Sequence, residues 1–266
     1  MIRALAVLAV LAGSAHAAPC DDSVLDPVAT PIRDVAIDAQ RAACLRDEGS
    51  VHAGGSALVD NPGFHGVLSG ALRVAGRTRV RDRLELGATV QLIDATFVQN
   101  AVNKATHVTI GPVTLAAAFA AASDADLALA IVASLELRGT RLNEDTVRTS
   151  GEVTAVVTAE LAPCTRLHGR FGGLWMLAAS TAGDTERVAF RAGVDVAHRL
   201  RRAVSFQLGA EVQTGWYGGG LDHVNLRAGV LFVVRRGWRG AIGIGAPVGG
   251  EERTNVVLDL GVVRAL

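Results

Sequence analysis

Although half of its residues are hydrophobic, this chain of 266 residues contains no unbroken run of eighteen apolar residues. A membrane-spanning helix, which needs about twenty, is therefore excluded. Three cysteines, Cys20, Cys44 and Cys164, are too few for a disulfide-dense secreted scaffold. Aromatics are scarce as well, at 4%. With eleven of them, any aromatic girdle at a membrane interface would be thin. Net charge is zero, and Lys104 is the single lysine among the basic residues, so no basic excess points to a nucleic-acid partner.

What the chain does have is alternation. From about Phe64 onward, apolar and polar residues interleave over stretches of roughly ten to fourteen, separated by Arg-, Gly- and Asp-rich links. Leu84, Leu86, Ala88, Val90 and Leu92 interleave with Arg83, Glu85, Gly87, Thr89 and Gln91, so one face suits lipid and the other water. Positive mean hydropathy, +0.32, spread in alternation and not gathered in blocks, is the pattern of a transmembrane β-barrel. The expected fold is all-β: an up-and-down antiparallel barrel of about twelve strands, at 51–59, 64–75, 82–93, 105–118, 126–137, 150–161, 166–178, 186–198, 203–215, 222–234, 239–248 and 254–265. Short and long links alternate between them, as periplasmic turns and extracellular loops do. Trp175, Trp216 and Tyr217 fall near outer strand ends and Trp238 at an inner end, where amphipathic rings favour the membrane interface.

The N-terminal residues read as an address. Met1-Ile2-Arg3, an apolar core from Ala4 to Ala12 and Ala15-His16-Ala17 form a secretory signal peptide over 1–17. Residues 18–50 differ in character from the alternating remainder of the chain: Pro19, Pro27, Pro31 and many acids surround a helix-compatible run from Pro31 to Asp47. This segment is either a periplasmic extension or a plug in the barrel, which occupies 51–266. A Cys20–Cys44 bridge would close a loop within it, worth a few kcal/mol against unfolding. Pairing of either cysteine with Cys164 would instead pin the segment to the barrel rim.

Parity assigns the faces. Leu127, Leu129, Ile131, Ala133 and Leu135 should meet lipid, as should Phe206, Leu208, Ala210 and Val212, and Val224, Leu226, Ala228, Val230 and Phe232. Their alternates point inward. The expected lumen-lining set is Arg83, Glu85, Gln91, Glu136, Arg170, Arg191, Asp195, Glu211, Arg227 and Asp259, joined by Glu152, Glu160 and Gln207. A midplane cation on a lipid face costs about 2–4 kcal/mol, so residues of both signs belong inside. Such residues either pair and fill a narrow barrel or line a water path and tune its selectivity.

Searches for chemistry return little. The seven histidines form no pair at helix or strand spacing, so no metal is expected. Gly243, Gly245 and Gly249 imitate part of a dinucleotide fingerprint, but Pro247 interrupts it and no helix follows, so no cofactor is expected either. Ser69 lacks a nucleophile elbow. Asp222-His223 comes nearest to the acid and histidine of an omptin-like protease, without the second acidic pair. No enzyme is read here.

Arg81-Asp82-Arg83-Leu84-Glu85-Leu86-Gly87 resembles the repeated turn-and-strand phrase of proteobacterial outer-membrane barrels, including the porin-like proteins grouped with the phenol-degradation transporter family. The closing strand from Val256 to Leu266 is similar to their C-terminal assembly signal, departing from it in ending on Leu266 and in placing Arg264 where an apolar residue is usual. The resemblance implies an outer-membrane location, insertion by the barrel-assembly machinery, contact with outer-membrane lipid, and passive or substrate-specific passage of small solutes. Three alternatives stand beside that channel: a filled structural or surface-interaction barrel, an outer-membrane enzyme, and a soluble lipocalin-like carrier with its apolar residues inside.

Overall fold

Strand-forming alternation resolves, in the computed structural model, into thirteen antiparallel strands: β1 (Ser50–Asp60), β2 (Gly66–Arg81), β3 (Leu84–Gln99), β4 (Lys104–Thr109), β5 (Val113–Ser123), β6 (Leu127–Leu137), β7 (Thr149–Ala162), β8 (Thr165–Ala178), β9 (Val188–Arg201), β10 (Val204–Thr214), β11 (Leu221–Arg235), β12 (Trp238–Gly249) and β13 (Val256–Ala265). The structure describes residues 43–45, 49–60, 66–99, 104–124, 126–137, 149–178, 188–215, 220–235, 238–250 and 256–265. The signal peptide, most of 18–50, and the loop residues Trp216 and Tyr217 lie outside the described residues. Of the helix-compatible run, only 43–45 are described, and they are irregular rather than helical.

Apart from β4 and β5, each strand pairs with its sequence neighbours, and β1 pairs with β13 from Ser50↔Ala265 to Val59↔Val256, which closes the sheet into a cylinder. β4 and β5 share one stave: β4 pairs with β3 along Asp94–Gln99 and β5 along Leu84–Val90. The wall therefore has twelve staves. The sequence expectation of one strand over 105–118 is corrected to two, because Pro112 has no N–H to give the ladder. The wall stays sealed there by two other bonds: Gly111 N–H donates to the Gln91 carbonyl at 2.9 Å, and Gln91 N–H to the Pro112 carbonyl at 3.1 Å.

Strand ends also move. β2 runs on to Arg81, past the expected end at residue 75, because Thr78 and Val80 keep facing outward between Arg77, Arg79 and Arg81. β3 starts at Leu84, so Asp82-Arg83 is a two-residue turn. On the same rim, Pro163-Cys164 and Arg202-Ala203 join β7 to β8 and β9 to β10. Cys164 takes the left-handed conformation, φ 68°, which a β-turn of this hand asks of its second central residue. The longer links all fall at the opposite rim.

Burial follows parity around the wall. On β6 the residues Ala128, Ala130, Val132 and Glu136 are buried, while Leu127, Ile131 and Leu137 are exposed. β9 repeats this, with Ala189, Arg191, Asp195 and Ala197 buried against exposed Phe190, Val194 and Val196. The exterior is thus a belt of exposed aliphatic and aromatic side chains, among them Leu86, Leu115, Phe171, Leu208, Leu226, Ile242 and Leu260. The interior is polar. A lipocalin-like carrier needs the opposite arrangement, so that alternative fails on polarity.

Candidate functional site

The lumen is built from strands whose inward positions alternate charged residues with small ones. On β9 the inward sequence is Arg191, Gly193, Asp195, and on β10 it is Gln207, Gly209, Glu211. Without side chains, Gly193 and Gly209 leave room for a neighbour's side chain to lie flat against the wall. A Cβ on Gly193 would stand 2.7 Å from Arg170 Nε, and one on Gly209 would collide with the Asp195 carboxylate.

Into that room folds a chain of ion pairs across β7 to β11. Arg170 Nη1 donates to Asp195 Oδ2 at 2.8 Å, and Arg170 Nη2 lies 2.7 Å from Glu211 Oε2. Arg227 Nη2 donates to both oxygens of Asp195 at 2.9 Å. Arg191 Nη1 reaches Glu152 at 3.2 and 3.3 Å, and its Nη2 donates to Gln213 Oε1 at 2.8 Å. Glu211 is the hub: Arg191 Nε stands 4.0 Å and His223 Nε2 3.9 Å from its Oε1, with Arg227 Nη1 3.9 Å from its Oε2. Three arginines thus meet three carboxylates with little exposure to water. Each member depends on the others, since a buried charge stripped of its partner costs about 3–5 kcal/mol.

The remaining lumen wall, from β12 through β6, is lined differently. Gly243 and Gly245 on β12, Gly54 and Ser56 on β1, and Ala75 on β2 are small. Asp259 is buried there, and neither of its carboxylate oxygens has a hydrogen-bond donor among the described residues. Arg73, one strand beyond β1, is its electrostatic neighbour and donates from Nε to Gln91 Oε1 at 3.1 Å. Glu85 on β3 and Glu136 on β6 also face inward here, so both sides of the lumen carry charge, and the small residues stand between those groups.

A third patch receives the chain's own N-terminal segment. Ala43 and Cys44 pack against Ala118, Ala128, Ala130, Val132 and Val156, with Leu45 beside them. Ala43 N–H donates to Thr158 Oγ1 at 2.8 Å, and that hydroxyl also meets His168 Nδ1 at 3.1 Å. These partners all face inward, so residues 43–45 sit inside the barrel. Cys44 is disulfide-bonded, and its expected partner Cys20 lies outside the described residues. Cys164 is free, which removes both pairings that used it.

Of the residues expected inside, Glu85, Gln91, Glu136, Glu152, Arg170, Arg191, Asp195, Gln207, Glu211, Arg227 and Asp259 are buried on the inward face. Glu160 is half-buried near the turn rim. Arg83 is the correction: it is exposed in the Asp82-Arg83 turn, because the strand begins two residues later than the alternation suggested. The expected lumen-lining set omits Arg166, His168, Gln213 and His223, all buried at inward positions that the same parity count reaches. It also gave no role to the glycines between them. Among the described residues no group of three His, Cys, Asp or Glu is placed to hold a metal ion.

No protein-family model and no curated relative matches the chain in sequence. Solved structures do match in shape. An outer membrane channel from Pseudomonas putida F1 superposes with a TM-score of 0.63 at 15% identity, covering 84% of this chain and 97% of that one. The KdgM porin in complex with disordered oligogalacturonate gives 0.57 at 9% identity, over 82% of this chain and 99% of its own. The transport unit of the autotransporter AIDA-I from Escherichia coli gives 0.56 at 10% identity, over 83% and 91%. The fold is that of outer-membrane β-barrel porins and channels. At these identities the likeness reaches the fold and stops there.

Proposed function

We propose that this protein is an outer-membrane channel for small solutes, exported through cleavage of residues 1–17 and carrying its path on one side of the lumen. The reading rests on one observation, an interior lined by polar and charged residues of both signs inside an apolar outer belt. The ion pairs of β7 to β11 fill their stretch of wall, whereas on the opposite stretch Gly54, Ser56, Ala75, Gly243 and Gly245 put small residues beside Arg73 and Asp259. Asp259 and Arg73 face this space and would sort solutes by charge. Residues 43–45 enter the same lumen and would narrow it. The likeness to channels and porins agrees with this role.

Planar-bilayer recording of the refolded, heat-modifiable protein tests it. Discrete conductance steps that grow when Asp259 or Arg73 is replaced by alanine are expected. A folded barrel that stays electrically silent would favour the second reading, a filled structural barrel, for which the buried arginine–carboxylate cluster is the supporting observation.

A further inference from the structure

The lumen accounts for the inward charges, but not for two arginines on the outward face. Arg264, which the closing strand carries where an apolar residue is usual, is exposed and pairs across strands with Trp238. On the other side, Arg235 pairs with the same Trp238. Both guanidinium groups stack on the indole, with Cζ 5.1 Å from the ring centroid for Arg235 and 5.4 Å for Arg264. Among the described residues neither is ion-paired with a carboxylate. Two like charges are therefore held beside one ring, at the rim of the short turns, where an amphipathic ring sits at headgroup depth.

The cross-strand row does not end there. Arg264 pairs with Val51, Val51 with Gly76, Gly76 with Ala88, Ala88 with Leu115 and Leu115 with Leu135. Val51 is near the start of β1, whereas Leu135 is near the far end of β6, so the row climbs from the turn rim toward the opposite rim. Along it runs an outward groove of about 730 Å³, floored by Gly76, Ala88, Ala117 and Ala133 and walled by Leu115 and Leu135. From Val51 to Leu135 it crosses four strand spacings of about 4.8 Å and is roughly 19 Å long, the reach of an extended acyl chain. Cations at headgroup depth open directly onto an apolar trough, which matches the two ends of one kind of molecule.

We propose that the Arg235–Trp238–Arg264 row and its groove hold an anionic phospholipid of the inner leaflet, with its phosphate against the two arginines at the edge of the indole and one acyl chain over Gly76 and Ala88. The proposal rests on the barrel spanning the outer membrane. Phosphate accepts charge-assisted hydrogen bonds from both arginines and relieves their mutual repulsion. A zwitterionic lipid brings its own cation to the same place and relieves less.

Native mass spectrometry of the full mature chain in detergent, titrated with phosphatidylglycerol or with phosphatidylethanolamine of the same chains, tests this. Phosphatidylglycerol should bind at roughly tenfold lower concentration, given about one favourable unit of surface attraction per arginine. R235Q/R264Q should erase the difference, and R235K/R264K should keep part of it. A88L/A117L, which fills the groove, should weaken both lipids. Equal binding of the two lipids by the wild-type chain, or a preference that survives R235Q/R264Q, overturns the site. Displacement of the lipid by free glycerol phosphate at equal concentration also overturns it, since the groove would then contribute nothing. Heat-modifiable migration is scored in parallel: a chain without it overturns the outer-membrane reading itself, separately from the lipid preference.

Discussion

Arg170 on β8 reaches over β9 to Glu211 on β10, 2.7 Å away, and it can do so because Gly193 lies between them. The bond joins strands that are not neighbours, so it ties the wall together beyond what the sheet ladder provides.

Replacing Gly193 with alanine should therefore act through Arg170. Its Cβ would stand 2.7 Å from both Nε and Nη2, forcing the guanidinium off Glu211. A loss of about 1–3 kcal/mol is expected from the disturbed buried network, read from urea unfolding in lipid vesicles. Unchanged stability would show that the guanidinium has room elsewhere.

Removing the hub should do more. Glu211→Ala leaves Arg170, Arg191 and Arg227 short of a carboxylate, and about 3–5 kcal/mol of stability should be lost. Because the lumen gains net positive charge, any current that remains should shift toward anions, measured as a reversal potential under a salt gradient.

The N-terminal segment gives a third test. Thr158→Val keeps the shape of the lumen wall but removes the acceptor of the Ala43 N–H. Conductance should rise, and removal of residues 18–47 behind the signal peptide should raise it further. Equal currents in all three proteins would mean that 43–45 do not narrow the path.

Cysteine chemistry supplies a fourth. In the unreduced protein a maleimide should label Cys164 alone, and after reduction Cys20 and Cys44 as well. Proteolytic mapping should recover a peptide that links Cys20 to Cys44. Separately, Cys164→Gly should stabilise the barrel by up to about 1 kcal/mol, since φ 68° strains a side-chain-bearing residue and not glycine.

The twelve staves were legible because a strand between lipid and water must alternate, and Leu127, Ile131 and Phe206 do so without interruption. Boundaries blurred where that contrast fades: Arg77 and Arg79 look like turn residues, yet at a wet rim an inward arginine continues a strand as well as any residue. Pro112 was visible in the sequence, but the two bonds that bridge its gap come from Gln91, twenty-one residues earlier, and no local pattern announces them. For the lumen, parity found the charged residues and not their partners. Which arginine meets which carboxylate depends on where Gly193 and Gly209 open the wall, and that is set by strand register. Ala43 was harder still, since nothing in an alanine foretells a threonine at position 158 as its acceptor.

Gly54 meets Gly261 where the first strand joins the last. At that height the seam has no side chains to interlock, and it holds by amide-to-carbonyl bonds that surrounding hydrocarbon gives no alternative partner. Closure of the cylinder is thus held there by main-chain geometry alone, and a side chain at position 54 would press on the Leu260 carbonyl from 3.1 Å, whereas one at 261 would meet open space.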